Sequence, residues 1–394
     1  MDPERFKNSP AGGLAKGNLG GRDYWAFVPN PLPPRLEPDI ELMNALSDAD
    51  RAVGELSGLG RTMANPHLFV HPFIRREAVL SSRIEGTRTG IVGLYAYEAG
   101  QPPLPGLGTP GLETDAQEVL NYVRALEYGL ERVTTLPVSL RLVRELHSIL
   151  MKGVRGETAS PGEFRRVQNW IGAPGSDVTH ASFVPPPPRE MSAAMEALEQ
   201  YLHAEADYPP LVRLALTHYQ FECIHPFADG NGRIGRLLIS LLLSCWNLIS
   251  QPLLYVSAYF EQNRAQYYDL LHAVSERGAW RDWVAFFLRG VAEQSRDANA
   301  RAKRLQDLQI EYRQRLQKEG ATGKILMAAD LLFETPVVSV PGVQQALGVT
   351  HRTASLIVEK LTREAILSPV GDRLRNRQFV ASEVLSIVSG DGEI

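Results

Sequence analysis

Residues 225–236 read HPFADGNGRIGR. One imidazole, one carboxylate, one amide, two guanidinium groups and three glycines fall within this stretch. Upstream lies PLVRLALTHYQFECI (210–224), whose apolar spacing and leading proline are those of a helix. Downstream comes LLISLLLSCWNLI (237–249), the most apolar run in the chain and too short to span a bilayer, which reads as a buried helix. The expected order is therefore helix, tight loop, buried helix. Gly230, Asn231 and Gly232 tolerate unusual backbone angles, so successive N–H groups there can converge on an anion. A helix starting near Arg233 adds its positive end. Arg233 and Arg236 lie three apart, on one helical face, where they oppose that dipole unless a polyphosphate sits between.

Two plainer readings compete. Gly230, Gly232 and Gly235 also fit the G-x-G-x-x-G pattern of dinucleotide-binding folds. That pattern needs a strand before it and an acidic residue about 20 positions beyond it. Here a helix precedes it, and YVSAY follows at the required distance without an acid. The other alternative is a simple interhelical turn with solvated arginines, Asp229 capping the next helix and His225 buried. Taken together, His225 as a base, Asp229 as a ligand for a hard divalent cation, an anion nest and two arginines describe attack of a hydroxyl on a nucleotide phosphate.

The chain is 394 residues long, with 44% hydrophobic and 22% charged residues and a formal net charge of -4. Such a balance argues against wholesale coating of nucleic acid or of acidic membrane. The first twenty residues lack an apolar signal region, and the two cysteines, Cys223 and Cys245, sit in apolar helical text. A cytoplasmic protein with free thiols and no zinc site is expected.

The fold expected is mainly α. Residues 1–110 read as an N-terminal arm, irregular and Pro-rich up to about residue 40, followed by helices. Residues 111–290 read as a helical core, 291–320 as a linking helix and 321–394 as a winged helix-turn-helix. Residues 100–111 (GQPPLPGLGTPG) form a breaker-rich loop in this reading. The exception within the core is 161–188, PGEFRRVQNWIGAPGSDVTHASFVPPPP, which predicts an extended hairpin or flap. In the last segment, GKILMAADLLFE, SVPGVQQALGV and HRTASLIVEKLTREAIL predict three helices, and LSPVGDRLRNRQFVAS a hairpin.

The opening stretch matches H-x-F-x-[D/E]-G-N-G-R-x-x-R through His225, Phe227, Asp229, Gly230, Asn231, Gly232, Arg233 and Arg236. In this it resembles the Fic (Fido) family. SSRIEG resembles the inhibitory helix of that family through Ser81, Glu85 and Gly86, and residues 161–188 resemble its active-site flap. The resemblance implies a helical Fic core with a β-hairpin flap and a C-terminal winged helix. It implies a nucleotidyltransferase that moves AMP from ATP to a Tyr, Thr or Ser hydroxyl of a target protein, itself included. His225 would then be the general base, and Asp229 would hold Mg²⁺ on the phosphates. Asn231 and the Gly230 and Gly232 backbone would form the anion nest, while Arg233 and Arg236 would hold the outer phosphates. Glu85 would pair with Arg236 and block productive ATP placement. Phe183 and Val184 on the flap would register a target segment by main-chain pairing. Tyr267 and Tyr268 are candidate walls of an adenine pocket, with plain core packing as the alternative.

Other readings stay open. Relatives of this kind also remove AMP or transfer other phosphate-containing groups. A DNA-binding regulator is the rival from another class, yet residues 321–394 carry seven Lys/Arg against eight Asp/Glu, and Arg373, Arg375 and Arg377 are the only cationic cluster. Nucleic acid is thus a weak partner, a homodimer is an open option, and no membrane is implied.

Overall fold

The computed structural model describes the chain except residues 38, 64, 99–111, 155–159, 174, 206–207, 322, 371–376 and 391–394. In chain order its strands and helices begin with β1 (Gly12–Leu19), β2 (Arg22–Pro29), α1 (Ile40–Thr62), α2 (His67–Ile84), α3 (Ile91–Glu98), α4 (Leu112–Arg132) and α5 (Leu140–Leu150). They continue with α6 (Pro188–His203), α7 (Pro210–Ile224), α8 (Asn231–Cys245), α9 (Ser257–Gln262), α10 (Arg264–Arg277) and α11 (Trp280–Lys318). The last are α12 (Gly323–Glu334), β3 (Val337–Ser339), α13 (Val340–Leu347), α14 (His351–Arg363), β4 (Ser368–Val370), β5 (Gln378–Val380) and α15 (Ser382–Ser389). The mainly α fold expected from the sequence is what the chain adopts. It forms two compact units, one of Met1–Glu55, Arg124–Ser250 and Leu254–Ser295, the other of Leu56–Val123, Gln251–Leu253 and Arg296–Ile394.

In the first unit, α7 and α8 form the central helical pair. Pro210 occupies the first turn of α7, where its missing N–H costs nothing. Nearly every side chain of both helices is buried, Leu214, Leu216, Leu237 and Leu241 among them, as expected for helices without a polar stripe. Trp283 of α11 is fully buried and its indole N–H donates to the Ala215 carbonyl at 2.9 Å.

The N-terminal segment corrects the irregular arm expected there. β1 and β2 pair antiparallel with Leu19 opposite Arg22, leaving Gly20 and Gly21 as a two-residue turn with φ +59° and +83°. Two left-handed positions match the twist of a tight hairpin, and glycine accepts both. Along β2, Tyr24, Ala26 and Phe27 are buried. Phe27 stacks obliquely with Phe6 and Phe183 at 5.7 and 6.0 Å, and its N–H donates to the Val184 carbonyl at 2.9 Å.

Among the described residues, the hairpin expected over 161–188 is reduced to one antiparallel bridge, Ile171 to Phe183. Side chains replace the rest of the ladder. Gln168 Nε2 donates to the carbonyls of Pro185 and Asn169, both at 2.9 Å, and Asn169 Nδ2 donates to Phe227 O at 2.9 Å. Pro185 to Pro188 supply no N–H with which a second strand could continue.

In the second unit, α2 packs against α12 and α15. The Phe69 ring meets Phe333 edge-on at 6.0 Å, and Phe333 meets Tyr312 at 5.8 Å. Tyr312 donates through its hydroxyl to Glu383 Oε2 at 2.8 Å. The three helices expected after residue 321 are α12, α13 and α14; Ser339 and Thr350 cap the latter two, and Gly348 turns between them at φ +59°. β4 and β5 pair antiparallel as expected, but β5 also pairs with β3, so the sheet order is β3-β5-β4. Neither β3 nor α15 was expected from the sequence. Arg373 and Arg375, and the loop expected at 100–111, lie outside the described residues, while Arg377 sits over the Phe379 ring at 5.7 Å.

Candidate active site

Helix α7 ends on His225, which adopts a left-handed conformation (φ 50°, ψ 60°) and bonds its N–H back to Phe221 O at 3.0 Å. The imidazole Nδ1 lies 3.2 Å from the Glu222 carbonyl. A carbonyl only accepts, so this contact assigns the proton to Nδ1 and leaves the lone pair on Nε2.

Between α7 and α8 one side chain of the loop itself makes a pair of backbone bonds. Asn231 Oδ1 accepts the Phe227 N–H at 2.8 Å, and its Nδ2 donates to Phe227 O at 2.9 Å. The Asn231 amide is thus spent on the loop, and its backbone N–H stands at the first position of α8, where helix N–H groups have no partner within the helix. Gly230 precedes it as N-cap at φ +76°. The helix starts at Asn231 rather than near Arg233, so both arginines occupy its first two turns and are buried, Arg233 at 5% and Arg236 at 1% exposure. The Asp229 side chain is half-exposed; its Oδ1 accepts the Gly230 N–H at 2.6 Å and lies 3.8 Å from Arg233.

His147 of α5 supports the loop from beneath. Its Nδ1 accepts the Gly162 N–H at 2.8 Å, so Nε2 carries the proton and donates to the Asp229 carbonyl at 3.1 Å. Its ring stacks on Phe227 at 3.7 Å and 4°. Burial pushes its pKa down to about 4, against an opposing pull from the Asp229 carbonyl, so it is neutral at pH 7. The sequence reading passed over His147. Its only signal was a histidine set in the helical run RELHSIL.

Four other expected residues have partners of their own. Tyr267 is 1% exposed, stacks on Phe260 at 4.6 Å and hydrogen-bonds His218 Nε2 at 2.9 Å, which makes it core rather than an adenine wall. Tyr268 is partly exposed, with the Arg264 guanidinium over its ring at 5.9 Å. Phe183 and Val184 are buried. Phe183 spends its N–H and carbonyl on Ile171, and the Val184 carbonyl accepts from Phe27. The main-chain edge expected to receive a target at these two residues is therefore occupied by the chain itself.

Ser81, Glu85 and Gly86 belong to the second unit. Ser81 is fully buried. Glu85 is the C-cap of α2, its N–H bonding Ser82 O at 3.0 Å, and Gly86 follows at φ +99°, where glycine is favoured. Among the described residues there is no group of three or more His, Cys, Asp or Glu that could hold a metal. Both cysteines are free, Cys223 buried and Cys245 partly so.

Residues 137–243 match the Fic/DOC family, and residues 43–131 match the Fic/DOC family N-terminal region. These segments belong to the Fic/DOC family. The Fic segment spans the whole loop from His225 to Arg236. Protein adenylyltransferase Fic of Drosophila grimshawi is 33% identical over 172 residues, covering 43% of this chain and 32% of that protein. The protein of the same name from Culex quinquefasciatus is 33% identical over 151 residues, covering 38% of this chain and 27% of its own. This chain thus spans about a third of the length of these relatives. Among solved structures, a Fic family protein from Desulfovibrio desulfuricans G20 superposes with TM-score 0.56 at 20% identity, covering 89% of this chain and 98% of its own. A Fic domain containing signaling protein from Bacteroides thetaiotaomicron VPI-5482 does so with TM-score 0.52 at 21% identity, covering 65% and 95%. At these identities the structural likeness concerns the Fic fold. No helix among the described residues is long and apolar enough to cross a membrane.

Proposed function

We propose that the chain is a protein adenylyltransferase, which transfers AMP from ATP to the hydroxyl of a Tyr, Thr or Ser on a target protein. The observation that carries this reading is the position of a base-competent imidazole nitrogen at the end of α7, beside an α8 N-terminus that begins on left-handed Gly230 and contains two buried arginines. The names of the relatives matched over this segment support it. In the proposed reaction the target hydroxyl oxygen attacks the α-phosphorus of ATP. Its proton passes to His225 Nε2, the bond from the α-phosphorus to the bridging oxygen breaks, and pyrophosphate leaves. The N–H groups at the start of α8, with Arg233 and Arg236, offset the charge of the phosphate tail. Catalysis on this account is mostly positioning.

The Asp229 carboxylate is half-exposed. That suits Mg²⁺, whose remaining ligands would be phosphate oxygens and water. When bound, the ion would neutralise phosphate charge. Glu85 fits an autoinhibitory role by its place in SSRIEG at the end of α2.

The test is mass spectrometry of the purified protein and of candidate targets after incubation with ATP and Mg²⁺. The expected outcome is an added AMP that disappears with His225→Ala. Absence of any adduct across targets, with Glu85→Gly included to release inhibition, would reject the reading.

A further inference from the structure

His225 is held in a conformation that its own chemistry disfavours. A β-carbon crowds the left-handed region, and a following proline pushes the preceding residue toward extended backbone. Yet His225 sits at φ 50° and ψ 60° directly before Pro226. Such a conformation persists only where the surroundings over-determine it.

Arg165 supplies those surroundings. Although it lies in the irregular segment after Gly162, it is only 5% exposed. Its Nε donates to His225 O at 2.9 Å, and its backbone N–H donates to Pro226 O at 2.9 Å. One terminal nitrogen donates to Pro186 O, and to Ile224 O at 3.4 Å; the other reaches Val167 O at 3.4 Å. Three consecutive carbonyls, those of Ile224, His225 and Pro226, are therefore taken by one residue. Among the described residues none of its hydrogen bonds goes to a carboxylate. Burial accordingly pushes its pKa down to about 10, opposed only by Tyr24. A buried cation without a carboxylate partner is costly for stability alone. A planar fork with five fixed donors suits a ring of carbonyls, which a lysine ammonium could not span.

We propose that Arg165 is a positioning residue: it locks His225 in the left-handed pre-proline conformation and so aims the imidazole at the acceptor hydroxyl. It also ties the segment 165–186 to the catalytic loop, so the flap-side backbone and the base move as one piece. This role rests on the AMP-transfer reading for its activity readout, while the geometry of the ring can be followed without it.

The experiment uses the full chain with Arg165→Lys and Arg165→Gln, at a temperature where near-ultraviolet circular dichroism shows both variants native. In steady-state AMP transfer, kcat is expected to fall about 10- to 100-fold, while KM for ATP stays within about twofold, because the arginine touches the base and not the nucleotide. A kcat within about twofold of wild type, or a KM for ATP rising in step with the loss, would overturn the role. Ring ¹⁵N–¹H spectra of histidine-labelled protein give the second readout. The His225 signals should move in both variants, while those of buried His147 and His218 stay in place. Should the wild type transfer no AMP, the reaction assignment fails and these spectra alone decide: an unmoved His225 ring sinks the positioning role.

Discussion

The amide of Asn231 reaches back to Phe227 and satisfies both the N–H and the carbonyl of that residue, at 2.8 and 2.9 Å. Phe227 is buried at 0% exposure, and its carbonyl accepts from Asn169 Nδ2 as well, at 2.9 Å. Asn231→Ala would strand the N–H and leave the carbonyl with Asn169 Nδ2 alone, at a cost of about 1–3 kcal/mol in unfolding free energy. Urea denaturation measures it; an unchanged midpoint would contradict the assigned role.

Gly230 is required by conformation as well as by space. Its φ is +76°, and a β-carbon there would stand 3.0 Å from Met151 Sδ. Gly230→Ala should cost about 1–2 kcal/mol. It should also lower AMP transfer, since the first N–H groups of α8 turn with this residue. Equal thermal midpoints for the two proteins would refute the strain.

His218 makes stability depend on pH. It is 2% exposed, and burial, followed by the field of Arg236, pushes its pKa down to about 3 from 6.5. The unfolded chain therefore binds a proton that the folded chain refuses. This contribution is fully present above pH 6.5 and is lost as pH falls through 6.5 toward 3, at up to about 1.4 kcal/mol per pH unit. Between pH 6.5 and 5 the stability of wild type relative to His218→Gln should drop by about 2 kcal/mol. Parallel pH profiles for the two proteins would exclude the effect.

In the second unit, Phe333 is fully buried between Phe69 and Tyr312. Phe333→Ala should destabilise that unit by about 3–5 kcal/mol. Hydrogen exchange should register it along α2 as well as α12. Protection of α2 amides equal to wild type would show that the ring pair carries no weight.

Glu85→Gly tests the inhibitory role. Glycine is readily accommodated at a helix C-terminus, so the thermal midpoint should stay within about 2 °C. AMP transfer, self-modification included, should rise several-fold. Equal rates with labelled ATP would remove the inhibitory assignment.

How far the sequence could be read depended on whether local chemistry decided the outcome. The shape of the loop from His225 to Arg236 was legible because Gly230 answers a local need, a left-handed angle at the start of α8. The helices were legible by period. The N-terminal hairpin was obscured by proline-rich neighbours, although Gly20–Gly21 between β-prone runs was a usable signal. For Tyr267 core packing was the open alternative, and its partner His218 is distant in sequence; His147 escaped because its role is set by Gly162 and Asp229. The edge expected at Phe183 and Val184 is taken up by the chain itself: Ile171 bonds Phe183, and Phe27, more than 150 positions away, bonds the Val184 carbonyl.

The ring pair of Phe69 and Phe333 also bears on how the chain can be cut. A fragment ending before residue 321 would keep α2 but lose the aromatic and aliphatic surface of α12 and α15 against which it rests. Water would then meet the side of the very helix that ends in Glu85. Shortening the protein to its front half is thus not a neutral trim, because it would unseat the helix that carries Glu85.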